Sequence, residues 1–107
     1  MYSVLERDEY KDKKNLIKKF EAAYGNEQIF KFAMDKLSSV RKREVTAFSL
    51  YFGYNTEPMT LKAIGEQMDI SAPRVRALSE TAFRWLLHPK YRREARKALG
   101  YPETPDD

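Results

Sequence analysis

Cysteine is absent from the 107 residues, so neither a disulfide nor a thiolate zinc site can form. Histidine occurs once, as His88 ahead of a proline, a placement that suits a helix end better than an active site. There is no glycine-rich phosphate loop and no carboxylate pair at metal-ligand spacing, so neither catalysis nor a cofactor or metal is expected. No apolar run approaches the roughly 20 residues needed to cross a bilayer, and the charged stretch Met1 to Tyr10 lacks the apolar core of a signal peptide. The expectation is a cytoplasmic protein without a membrane partner.

Glycine (four) and proline (five) are also scarce, and what remains, 42% hydrophobic and 34% charged, is rich in helix formers. A chain of this length buries only about two thirds of its unfolded surface, enough for one modest core. The expected fold class is all-α. Leu5, Leu16, Ile17, Phe20, Ala23 and Tyr24 mark a first helix over Tyr2 to Tyr24, stopped by Gly25-Asn26. A second runs from near Asn26 through Ile29, Phe30, Phe32, Ala33, Met34 and Leu37, and Ser38-Ser39 is placed to cap a third. Val40, Glu44, Ala47, Phe48, Tyr51 and Phe52 continue that third helix to a C-cap at Gly53. After a loop at 54 to 59, Thr60 caps Leu61 to Met68, and Asp69-Ile70-Ser71 is a turn. Ala72 to Leu87 follows, with Val75, Leu78, Ala82, Trp85 and Leu86 inward, until His88-Pro89 stops it. Lys90 to Leu99 reads as a last basic helix ending at Gly100, and 101 to 107 as a loose acidic tail.

Charge is uneven along the chain. Residues 1 to 36 hold eight basic and seven acidic groups, residues 37 to 100 twelve and six, and the tail three acids. The excess in the middle suits a polyanion, although lysine and arginine also merely solvate helix faces.

Two helices joined by a tight turn need apolar residues at fixed offsets and a small residue where the backbones approach. Ile64, Gly65, Met68, Ile70, Val75 and Leu78 supply both; mid-helix, Gly65 costs about 1 kcal/mol relative to alanine, and close packing is a reason to tolerate it. The wording of the stretch adds to its pattern. Thr60-Leu61-Lys62-Ala63-Ile64-Gly65, then Arg74-Val75-Arg76, then Leu86-Leu87-His88-Pro89 resembles region four of housekeeping sigma factors without a gap. Val40-x-x-Arg43-Glu44 and Phe52-Gly53 fall in register upstream, and Lys90 to Leu99 downstream. The resemblance spans 37 to 100, leaving 1 to 36 as a helical extension outside it.

In that family the region docks on the flap of RNA polymerase and lays its second helix in the major groove of the minus thirty-five promoter element. The resemblance therefore implies double-stranded DNA and bacterial RNA polymerase as partners. Facing the groove would be Ala72, Pro73, Arg76, Ala77 and Glu80, of which only Arg76 can make a bidentate contact to guanine. The family usually has arginine and glutamate where Ala72 and Pro73 stand, and glutamine in place of Ala77. Arg43, Lys62, Arg74 and Arg84 read as phosphate contacts or as solvated charges. The cluster Lys90, Arg92, Arg93, Arg96 and Lys97 suits phosphate, an acidic patch on polymerase, or solvent. Phe48, Tyr51, Phe52, Phe83 and Trp85 recur at core spacing and not as a stacking platform.

Residues 1 to 36 are too short for a start-site-melting region, which leaves three readings: a partial, sigma-like regulator of phage or mobile-element type; a free-standing regulator dimeric through Tyr2 to Leu37; and an interaction module that inhibits polymerase or a sigma factor. The nucleoid is the expected place of action for the first two.

Overall fold

The computed structural model describes residues 2–101, with side chains from residue 12 onward. They form six helices, α1 (Tyr2–Tyr24), α2 (Glu27–Val40), α3 (Lys42–Phe52), α4 (Leu61–Met68), α5 (Ala72–Leu87) and α6 (Pro89–Ala98). No strand occurs among the described residues, as the helix-period patterning requires. The side chain of Leu5 and the tail residues 102–107 lie outside them.

Each boundary has a local cause. Gly25, at φ +123°, leaves α1, and the Asn26 side chain accepts from the Ile29 amide at 3.0 Å to start α2. Ser38 and Ser39 do not cap the third helix as expected. Leu37 is fully buried, which holds α2 in register for one more turn, and the Ser39 hydroxyl is satisfied within the helix by donating to the Lys36 carbonyl at 2.6 Å. The break falls at Arg41, whose guanidinium reaches Glu44 at 3.2 Å and lies 4.7 Å from the centre of the Trp85 ring. Val40 accordingly ends α2 as an exposed residue, not as an inward position of α3. Gly53 closes α3 in the left-handed region at φ +75°, where an added Cβ would meet Pro58 Cγ at 2.7 Å.

Two apolar cores share α3 as their common wall. The larger joins Ile17, Phe20 and Tyr24 of α1 to Ile29, Phe30, Met34 and Leu37 of α2, Val45 and Phe48 of α3, Leu86 of α5 and Ala95 of α6. Phe20 is its hub, stacked on Phe30 at 5.5 Å and set edge-on to Phe48 at 6.0 Å and Phe83 at 5.4 Å. The smaller core joins Ala47, Ile64, Val75 and Leu78, with Met68 and Ile70 packed against it. It is the apolar set read from the offsets around Gly65. Ala23 falls off the α1 stripe and is exposed, and Trp85 is only half-buried.

Residues on both sides of position 36 enter the larger core, and α2 runs across that point. Tyr101 is likewise packed: its amide donates to the Arg96 carbonyl at 2.8 Å and its hydroxyl accepts from Asn26 at 3.0 Å. The expected loose tail therefore does not begin at Tyr101.

Candidate nucleic-acid interface

Helices α4 and α5 are capped at both ends of their joint. Thr60 accepts from the Ala63 amide at 3.1 Å to start α4. Asp69 ends it in the left-handed region (φ 59°, ψ 46°), an aspartate standing where glycine is commoner. Ser71 then accepts from the Arg74 amide at 3.3 Å to start α5. A Cβ on Gly65 would lie 2.6 Å from the Ile70 carbonyl oxygen. The small residue is thus required by the turn's own backbone, a tighter constraint than close helix packing alone.

Pro73 sits in the first turn of α5, where its missing N–H had no intrahelical acceptor. At roughly 100° per residue, Pro73, Ala77, Glu80 and Arg84 fall along one line of α5. All four are exposed, while Val75, Leu78, Ser79, Ala82 and Leu86 turn inward. Ala72 is half-buried, and Arg74 and Arg76 stand exposed on opposite flanks of that line. Arg76 and Glu80 share a small groove with Tyr51, Phe52, Ser79 and Phe83. Two of the four line residues, Pro73 and Ala77, bring no side-chain hydrogen-bonding group.

Arg43 of α3 and Lys62 of α4 are exposed. The basic cluster of α6 divides. Lys90, Arg93 and Lys97 point to solvent, whereas Arg92 and Arg96, one turn apart, face the body of the domain. Arg96 Nη1 donates to the Tyr24 carbonyl at 2.9 Å and lies against Gly25. Arg96 thus ties α6 to the end of α1 and is not presented to phosphate. His88 has a structural place: its Nδ1 accepts from the Lys90 amide at 3.2 Å and so caps α6 across the Pro89 junction.

A capped helix pair around a backbone-tight glycine, with one exposed cationic face, is a helix-turn-helix. A family model, sigma-70 region 4, matches residues 33–87. The chain belongs to the sigma-70 region 4 family. The match takes in the end of α2 and all of α3, α4 and α5, so the helix-turn-helix is of the sigma type and the domain is of a DNA-binding, transcription-related class. No individual curated protein and no solved structure matches the chain. Among the described residues no helix is long and apolar enough to cross a membrane.

One basic group escaped the sequence reading. Lys13, Lys14, Lys18 and Lys19 of α1 border the C-terminal end of α3, where Lys13 Nζ lies 3.6 Å from the centre of the Tyr51 ring and Lys14 pairs with Glu57 at 2.9 Å. The signal was present: residues 11–19 hold five lysines and one acid. Counting charge over the whole of residues 1–36 cancelled it against acids elsewhere.

Proposed function

We propose that this protein is a partial sigma-like regulator that sets α5 in the major groove of promoter-type DNA and engages RNA polymerase with a second surface, acting at the nucleoid. The observation that carries the reading is the capped, glycine-tight α4–α5 pair inside a sigma-70 region 4 match, with its polar face exposed among the described residues. Arg76 is the base-reading residue, with Glu80 beside it and Ala72, Pro73 and Ala77 completing the reading face. Arg43, Lys62, Arg74 and Arg84 hold phosphates, and Lys90, Arg93 and Lys97 offer a further cationic strip.

For the polymerase contact, Val40 at 72% exposure and Leu87 at 58% are large apolar side chains left bare, apart from the N-terminal turns of α5. Apolar side chains so placed suit a protein partner. The test is co-purification with core RNA polymerase, using the wild type and a V40D/L87D variant. Retention of the wild type and loss of the variant, with duplex binding unchanged, is the expected result; no retention of either at low salt sinks the polymerase half of the reading.

A second reading, an inhibitor that binds polymerase or a sigma factor without reading DNA, is favoured by one feature. Ala72, Pro73 and Ala77 replace the hydrogen-bonding residues usual at these positions. Under that reading Arg76→Ala leaves regulatory activity untouched. A regulator dimeric through Tyr2 to Leu37 has less support, because Ile17, Phe20, Tyr24, Ile29, Phe30 and Leu37 are buried in the chain's own core.

A further inference from the structure

We infer that α1, which lies outside the matched region, is a second DNA-contacting element, with Lys18 and Lys19 gripping the phosphate backbone on the Arg76 side of α5. The inference rests on the proposal that α5 enters the major groove, and it extends that contact to a helix the family pattern does not include.

Three observations place α1 there. Tyr51 and Phe52 form a wall shared by two adjoining grooves, one lined on its far side by Arg76, Glu80 and Phe83 of α5, the other by Lys13, Lys18 and Lys19 of α1. The surface thus runs from the exposed flank of α5 across Tyr51 to α1 without an intervening element. Next, Lys14 Nζ is 2.9 Å from Glu57, in the loop that leads directly into Thr60 and α4, so α1 also borders the entry to the helix-turn-helix. Last, Phe20 against Phe83 at 5.4 Å and Tyr24 on the Leu86 carbonyl at 2.8 Å fix α1 rigidly to α5.

The major groove is about 12 Å wide and a helix with its side chains about 10–12 Å across, so a seated α5 brings the groove's phosphate walls against whatever stands on its flanks. On this flank stands the stretch 11–19, whose net charge of +4 equals that of the entire chain. Lys18 and Lys19 are exposed, Lys14 is half covered by its contact with Glu57, and Lys13 is 6% exposed, holding positive charge beneath them over the Tyr51 ring. Four carboxylates line the two grooves beside these lysines, Asp12 on the Tyr51 side and Glu21, Glu27 and Glu57 on the Lys14 side.

The test is the salt dependence of full-length protein binding to a labelled duplex of arbitrary sequence between about 50 and 200 mM salt, since each phosphate neutralised contributes about 0.9 to the log–log slope. The K18Q/K19Q variant is expected to lose about two phosphates' worth of slope, about 2 in value, while K18R/K19R keeps it. Lys13 is left in place because it is packed. Thermal melts by circular dichroism establish that both variants fold; should the glutamine variant unfold, the two single substitutions are read the same way, each expected to cost about 0.9. A steep wild-type slope that the glutamine changes leave unaltered overturns this inference and spares the proposed function. Loss of slope in the arginine variant as well shows that the helix and not its charge matters, and also overturns it. A flat wild-type slope removes both.

Discussion

The Tyr24 hydroxyl donates to the Leu86 carbonyl at 2.8 Å, closing a loop of 62 residues between the end of α1 and the last turn of α5. That carbonyl is one of the four at a helix C-terminus without an intrahelical partner. A single side chain therefore completes the backbone of the candidate recognition helix and fastens the N-terminal helix to it. Tyr24→Phe leaves the ring in the core and the carbonyl unsatisfied, at an expected cost of about 1–3 kcal/mol. In a domain of this size about 1 kcal/mol corresponds to roughly 4–8 °C in Tm, readable in a thermal melt.

The same contact sets a pH dependence. Burial pushes the Tyr24 hydroxyl far above its ordinary pKa of 10.0, and burial followed by the nearby Glu21 carboxylate raises Tyr54 as well. The folded chain thus holds these protons more tightly than the unfolded chain. Their contribution is fully present below pH 10 and is lost as pH rises beyond it. Urea midpoints taken up the pH scale should be level through neutrality and decline above that point, with a shallower decline in Tyr24→Phe. An equal decline in both proteins would show that Tyr24 is not the group responsible.

Gly65→Ala separates two opposing effects. Alanine in mid-helix gains about 1 kcal/mol of propensity, but its Cβ would stand 2.6 Å from the Ile70 carbonyl oxygen, which belongs to the turn backbone and cannot swing aside. Overpacking of this kind costs about 1–3 kcal/mol, so the expected net change is destabilising. Because the turn itself must shift, duplex binding should weaken more than stability does. A stabilised variant with unchanged binding would contradict the packing argument.

Arg96 and Lys97 are adjacent in sequence with opposite duties. Arg96→Ala removes the donor to the Tyr24 carbonyl and the guanidinium lying against Gly25, and should cost about 1–3 kcal/mol in urea denaturation with little effect on the salt slope of DNA binding. Lys97→Ala removes an exposed charge, so stability should stay within about 0.5 kcal/mol.

That division shows where sequence reading reaches its limit. The helix-turn-helix was legible because its constraints are local: Thr60 and Ser71 cap their helices three residues on, and Ile64, Val75 and Leu78 all lie in the same helix as Gly65 or in the one that follows it. Within α6, composition marks five cations alike, and only the position of Ala95 against α2 and α1 decides that Arg92 and Arg96 turn inward. The α2–α3 junction misled for a similar reason. Ser38-Ser39 has the chemistry of a cap, but a buried Leu37 overrides it, and burial is a property of the assembled core. The lysines of α1 were invisible as a site because their neighbours Tyr51 and Glu57 are some forty residues away in the chain.

The reading face offers a gain-of-function test. Among Pro73, Ala77, Glu80 and Arg84, the aligned exposed positions of α5, the first two have no side-chain group to offer a base edge, and half-buried Ala72 adds none. Each good bidentate contact supplies about 1–3 kcal/mol of discrimination. Ala72→Arg, Pro73→Glu and Ala77→Gln together restore the residues usual in the family. All three sites lie in the first two turns, Pro73 and Ala77 exposed and Ala72 half-buried, and Ser71 remains to cap the helix. The triple variant should bind a duplex carrying the minus thirty-five element at least tenfold more tightly than a scrambled duplex, a margin of about 1.4 kcal/mol, in competition anisotropy. The wild type should show a smaller preference, and Arg76→Ala should reduce whatever preference it has. If the restored variant still fails to discriminate while keeping its salt-dependent affinity, α5 is held off the base edges. The protein would then bind DNA by its backbone alone, and its choice of promoter would have to come from polymerase.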